Sequence, residues 1–73
     1  MNYTPPTAAE VRALLARWGL TGEQAGEQAG VSARQIRRYV QGVQRMPYAV
    51  LFTLARKNAR VNVPIDNWRA KLG

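Results

Sequence analysis

Apolar residues recur at helical spacing in successive blocks of this chain, and each block is bracketed by residues that start or stop helices. Val11, Leu14, Leu15 and Trp18 stand at i, i+3, i+4 and i+7, one face of a helix. Thr7-Ala8-Ala9-Glu10 before them has the order of a capping box, and Gly19 after them suits a left-handed stop. This places a first helix over residues 8–18.

Thr21-Gly22-Glu23-Gln24 repeats the capping-box pattern. The second helix it opens, running to Ala29, offers only Ala25, Gly26 and Ala29 for burial. Such small residues let another helix cross closely. Gly26 is expected at the crossing, where leucine would overpack and alanine would be mild or even stabilising through helix propensity. Gly30-Val31-Ser32 then reads as a turn, with Gly30 free to take positive φ, Val31 tucked inward and Ser32 capping the next helix. That third helix runs from Ala33 to about Gln41, with Ile36 and Val40 inward, Tyr39 beside them, and Gly42 as its end.

Pro47 suits the first turn of a fourth helix. Tyr48, Leu51, Phe52, Ala55 and Ala59 group on one face of it, while Val50 and Leu54 sit off that group, so the apolar arc spans about 200°. Val61-Asn62-Val63-Pro64-Ile65 reads as extended, before a short helical turn over Asp66–Leu72 that carries Trp68. The expectation is an all-α, compact bundle of four to five short helices. Residues 1–60 form the functional domain and residues 61–73 a tail. Val50, Leu54, Val61, Val63, Ile65 and Trp68 lack an evident slot in so small a core and are expected at a homodimer interface.

Composition narrows the function. The 73 residues contain no cysteine and no histidine, so there is no disulfide framework, thiolate metal site or imidazole base. Four acids, Glu10, Glu23, Glu27 and Asp66, argue against a carboxylate metal cage or a carboxylate-pair hydrolase. No enzyme activity, cofactor or small-molecule ligand is expected. No apolar run reaches membrane-spanning length, and Met1–Pro6 lacks the pattern of a secretion signal, so a cytoplasmic location is expected.

Charge points to a partner. The net charge is +7, and nine of the eleven cations are arginine. Residues 32–60 hold Arg34, Arg37, Arg38, Arg45, Arg56, Lys57 and Arg60 and no acid, so the excess lies in the middle of the chain. A folded basic domain of this kind meets an anionic partner, and arginine suits fork-like bonding to phosphate and base edges.

A small-residue helix, a glycine corner, a serine cap and an arginine-rich helix make the helix-turn-helix pattern. The stretch LTGEQAGEQAGVSARQIRRYVQG, Leu20–Gly42, resembles the lambda-Cro/repressor-type helix-turn-helix family, and Pro47–Ala59 extends the likeness as one more helix. The chain departs from that family's pattern in having Gly26 where alanine is usual and Gly22 where many relatives place glutamine. A second resemblance is to the small anti-CRISPR-associated repressors of phages and mobile elements. It rests on size, on Arg34 and Arg37-Arg38-Tyr39, and on MPYAVLFTL, Met46–Leu54. These resemblances imply a dimeric repressor that binds an inverted repeat in double-stranded DNA.

A helix of this kind fits the major groove. Arg34 and Arg38 are the expected guanine readers, and Arg37 could read a base or clamp a phosphate. Ala33 is placed against a thymine methyl, and Gln41 against an outer base or the backbone. Thr21, Ser32, Arg45 and Tyr48 are expected at phosphates. Arg56, Lys57 and Arg60 are read first as favouring a helix C-terminus. Two other readings compete. One is an RNA-binding or RNA-polymerase-associated module, which calls for stacking aromatics on the basic face. The other is a protein-binding adaptor, such as an antitoxin docking an acidic toxin.

Overall fold

Thr7, Thr21 and Ser32 each close a helix start with a side-chain hydroxyl, accepting from the backbone N–H groups of Glu10, Gln24 and Gln35. At the first two the capping box is complete, since the Glu10 and Gln24 side chains accept from the Thr7 and Thr21 N–H groups at 2.9 Å. The computed structural model describes residues 3–61 and 67–72, which form five helices and no strand. These are α1 (Ala8–Trp18), α2 (Gly22–Ala29), α3 (Ala33–Gln41), α4 (Tyr48–Asn58) and α5 (Trp68–Leu72). Glycines 19, 30 and 42 end the first three, all with positive φ. The described part of the expected all-α bundle is therefore present. Pro47 sits one residue earlier than expected, at the N-cap of α4 rather than inside it.

One core joins all five helices. Val11, Leu14 and Leu15 of α1, Ala25 of α2, Ile36 and Tyr39 of α3, and Val50, Leu51, Leu54 and Ala55 of α4 are buried together with Met46, Trp68 and Leu72. Val40 and Val31 are half-buried against this cluster.

Gly26 marks the closest approach of α2 to the turn after it. A Cβ there would lie 2.6 Å from the Val31 carbonyl oxygen and 3.2 Å from backbone atoms of Ser32. The neighbour is backbone and not a second helix's side chains. Alanine is therefore not mild at this position, contrary to the expectation from propensity.

The structure corrects the expected phase of α4. Val50 and Leu54, expected to be left over, are 7% and 0% exposed inside the core. Ala59, expected inside, is exposed at the C-cap. Tyr48 and Phe52 drew the predicted face toward themselves, but they stand half-buried at its edge. Tyr3 meets Tyr48 edge-on at 5.3 Å, and Tyr48 stacks on Phe52 at 5.8 Å. These contacts line the aromatics along the rim, packed against the core cluster rather than within it.

The tail is corrected too. Trp68 is 3% exposed and Leu72 5% exposed, so α5 completes the monomer core. The slot is made by the chain's own N-terminal segment. The Trp68 indole N–H donates to the Thr4 carbonyl at 2.7 Å. Arg69 forms two 2.7 Å bonds to the Glu10 carboxylate, reaches the Pro5 carbonyl at 3.2 Å, and lies over the Trp68 ring. Arg17 of α1 donates to the Leu72 carbonyl. Val61 is half-buried against the core, while Val63 and Ile65 lie outside the described residues.

Candidate nucleic-acid interface

The placement of α3 is fixed from three sides. Ile36 and Tyr39 anchor it in the core. Arg12 of α1 donates to the Val40 carbonyl at 2.8 Å, putting a cation at the C-terminal end of α3, where the helix dipole favours it. The Gln35 amide donates to the Gln44 side-chain oxygen at 2.7 Å, tying α3 to the loop behind it. Neither tether was legible in the sequence: Arg12 lies 28 residues from Val40, and Gln44 sits in a loop without periodicity.

The opposite face of α3 carries Arg34, Arg37, Arg38 and Gln41, all exposed. Among the described residues, none of these four side chains has a hydrogen bond or an ion pair. Four other described cations are engaged, while Arg45, Arg56 and Arg60 stand exposed like those of α3. Arg12 holds Val40, Arg17 holds Leu72, Lys57 holds the Gln28 carbonyl at 2.8 Å, and Arg69 holds Glu10. That bonding takes Glu10 out of competition for α3, and the Arg69 guanidinium beside it holds its carboxyl down at about 2. The outer face of α3 is thus a set of unsatisfied donors with no acid on the same helix.

Ala33 is half-buried and lines a cleft with Thr21, Gly22, Glu23 and Arg37, so the start of α2, with one acid, stands beside one flank of α3. The Thr21 and Ser32 oxygens are occupied as caps, which leaves each hydroxyl hydrogen as the donor for an outside group. Thr21's own backbone N–H is spent on Gln24. Arg45 is exposed on the loop after α3. Tyr48 lies within the aromatic cluster at the edge of α4 and faces Tyr3. Val43, 73% exposed at the foot of α3, is the one large exposed hydrophobic among the described residues, and no pattern in the sequence marked it.

Among the described residues there is no group of three His, Cys, Asp or Glu able to hold a metal, and no helix long and apolar enough to cross a membrane. No family model matches the chain, and no curated protein or solved structure is significantly similar to it.

Proposed function

We propose that this protein is a sequence-specific DNA-binding regulator that lays α3 in the major groove of double-stranded DNA. One observation carries the reading: three arginines and a glutamine stand exposed and unpartnered on a helix whose other face is anchored in the core by Ile36 and Tyr39 and bonded to α1 and to the loop after it. Rigid placement matters because base readout needs side chains held in register, whereas a loosely held basic segment gives only salt-dependent, sequence-blind attraction. The groove is about 12 Å wide and admits one such helix. The RNA reading is less well supported. The exposed basic face of α3 carries no aromatic residue, Tyr39 is buried, and Tyr48 and Phe52 stack on each other. A protein-binding adaptor would need an acidic partner and shares the same face; it differs by showing no preference among DNA sequences.

A single α3 reads about four or five base pairs, too few to select a site among a genome of competitors. Two copies on the halves of an inverted repeat supply the rest, and occupying a promoter in this way represses it. Selection of bound duplexes from a random pool tests the proposal. Enrichment of a palindromic consensus supports it, and a pool that never departs from random contradicts it.

A further inference from the structure

Around α3, at about 100° per residue, the four exposed polar side chains are not equivalent. Ile36 and Tyr39, which point into the core, define the inward direction. Arg34 and Gln41 lie within about 20° of each other and directly opposite that direction. Arg37 and Arg38 lie about 50° to either side. The flank of Arg37 is bounded by Ala33 and the start of α2 at Thr21, Gly22 and Glu23, whose carboxylate lines the same cleft without an ion pair to Arg37. The flank of Arg38 carries Gln35, its bond to Gln44, and the loop whose Val43 and Gln44 N–H groups donate to the Arg38 carbonyl.

We infer that Arg34 and Gln41 are the base-reading residues, and that Arg37 and Arg38 grip phosphates of the two opposite strands. The inference rests on the DNA-binding reading. It departs from the expectation drawn from spacing, in which Arg38 was the second guanine reader. A helix with side chains is about 10–12 Å across and fills the groove. The crest of its outer face then meets base edges on the groove floor, and the flanks meet the phosphate walls. Arginine pairs in a bidentate manner with guanine O6 and N7, and glutamine with adenine N6 and N7. Seven residues along a helix span about 10.5 Å. At about 3.4 Å per base pair along the DNA axis, to which the groove is inclined, this sets the guanine and the adenine about two to three base pairs apart in each half-site. Arg37 and Arg38 supply attraction and orientation without sequence preference.

The test repeats the random-duplex selection with the full chain and with Gln41→Ala, Arg37→Gln and Arg38→Gln, and titrates each variant over a salt series. All three side chains are exposed and unbonded, so the fold is left intact, and thermal melts overlaying wild type check this. Gln41→Ala is expected to erase the preference at one position about two to three base pairs from the guanine, with a roughly 5- to 150-fold loss on the wild-type site. Arg37→Gln and Arg38→Gln are expected to keep the full consensus, to weaken selected and scrambled duplexes by the same factor, and each to lower the salt slope by about 1. A consensus changed by Arg37→Gln or Arg38→Gln, or unchanged by Gln41→Ala, overturns this division while DNA binding stands. A wild-type pool without enrichment overturns both.

Discussion

The carbonyl oxygen of Val31 stands 2.6 Å from the point where a side chain on Gly26 would begin. The same residues are linked by the Val31 N–H donating to the Gly26 carbonyl at 2.9 Å, the bond that turns the chain from α2 into the corner before α3. Gly26 is thus a condition for the placement of α3. Gly26→Ala is expected to destabilise by about 1–2 kcal/mol, since a backbone clash outweighs the gain in helix propensity. Gly22 in the same helix is the control. Its Cβ would meet only Ile36 at 3.9 Å, an ordinary contact. Gly22→Ala is expected to be neutral or stabilising by up to about 1 kcal/mol. The urea midpoint should therefore fall for Gly26→Ala and hold or rise for Gly22→Ala, and equal shifts would refute the assignment of the close approach.

Leu54 separates the core reading from the interface reading. It is fully buried within the monomer, so Leu54→Ala is expected to cost about 2–5 kcal/mol, and Trp68→Ala about 3–5 kcal/mol. Circular dichroism melts should show both losses, and the melting temperatures should not depend on protein concentration. Losses well below these values would contradict the core placement, and a concentration-dependent melt would show association between copies.

Two groups tie stability to pH. The Arg69 guanidinium and the Thr7 N–H hold the Glu10 carboxyl down at about 2, below its unfolded value. The stability this contributes is present above about pH 4.3 and is lost as pH falls toward 2. Glu10 is a third exposed, so the pair is worth less than about 1 kcal/mol. Glu10→Gln should show a correspondingly smaller fall in melting temperature over that window. A fall equal to the wild type's would mean the clamp adds nothing.

Tyr3 works at the other end of the scale. Burial pushes its hydroxyl up to about 12, and the hydroxyl donates to the Met46 carbonyl at 2.8 Å. The neutral form is favoured by folding, so its contribution is present below about pH 10 and is lost as pH rises toward 12. Tyr3→Phe should cost about 0.5–1.5 kcal/mol at neutral pH and lose less stability in that alkaline window. Ultraviolet absorbance of tyrosinate should show a late-titrating group in the wild type that is missing from the variant.

Much of this architecture was legible because it is local. Capping boxes at Thr7 and Thr21, the serine cap at Ser32 and the stops at Gly19, Gly30 and Gly42 each act within a few residues, so the first three helices fall where the sequence places them. The phase of α4 was misread because Tyr48 and Phe52 count as apolar yet pair with each other and Tyr3 at the rim. Trp68 was misread, and the burial of Leu72 went unread, because their slot is built by Thr4 and α1, more than fifty residues away. Met46 gave no signal, since a single apolar residue in a loop has no period. At the candidate interface the arginines were legible from charge alone. Their inequality was not, because it depends on the direction set by Ile36 and Tyr39.

The corrected core also changes the expected assembly. Val50, Leu54 and Trp68, three of the six residues expected at a homodimer interface, are spent on the chain's own core, while Val63 and Ile65 lie outside the described residues. Sedimentation at low micromolar concentration is expected to give the 8.2 kDa chain alone, and two copies once a duplex bearing both half-sites is added. A dimer without DNA would contradict this.

The central claim is that α3 reads DNA sequence, and a competition titration with fluorescence anisotropy tests it most directly. A labelled duplex bearing the selected site is challenged with scrambled duplex and with single-stranded RNA, for the wild type and for Arg34→Ala. The wild type is expected to prefer the selected site by at least about 10³-fold. Arg34→Ala is expected to lose about 1–3 kcal/mol of that preference at one guanine. Equal affinity for selected and scrambled duplexes, tighter binding to the RNA, or an Arg34→Ala variant that discriminates like wild type would contradict the claim.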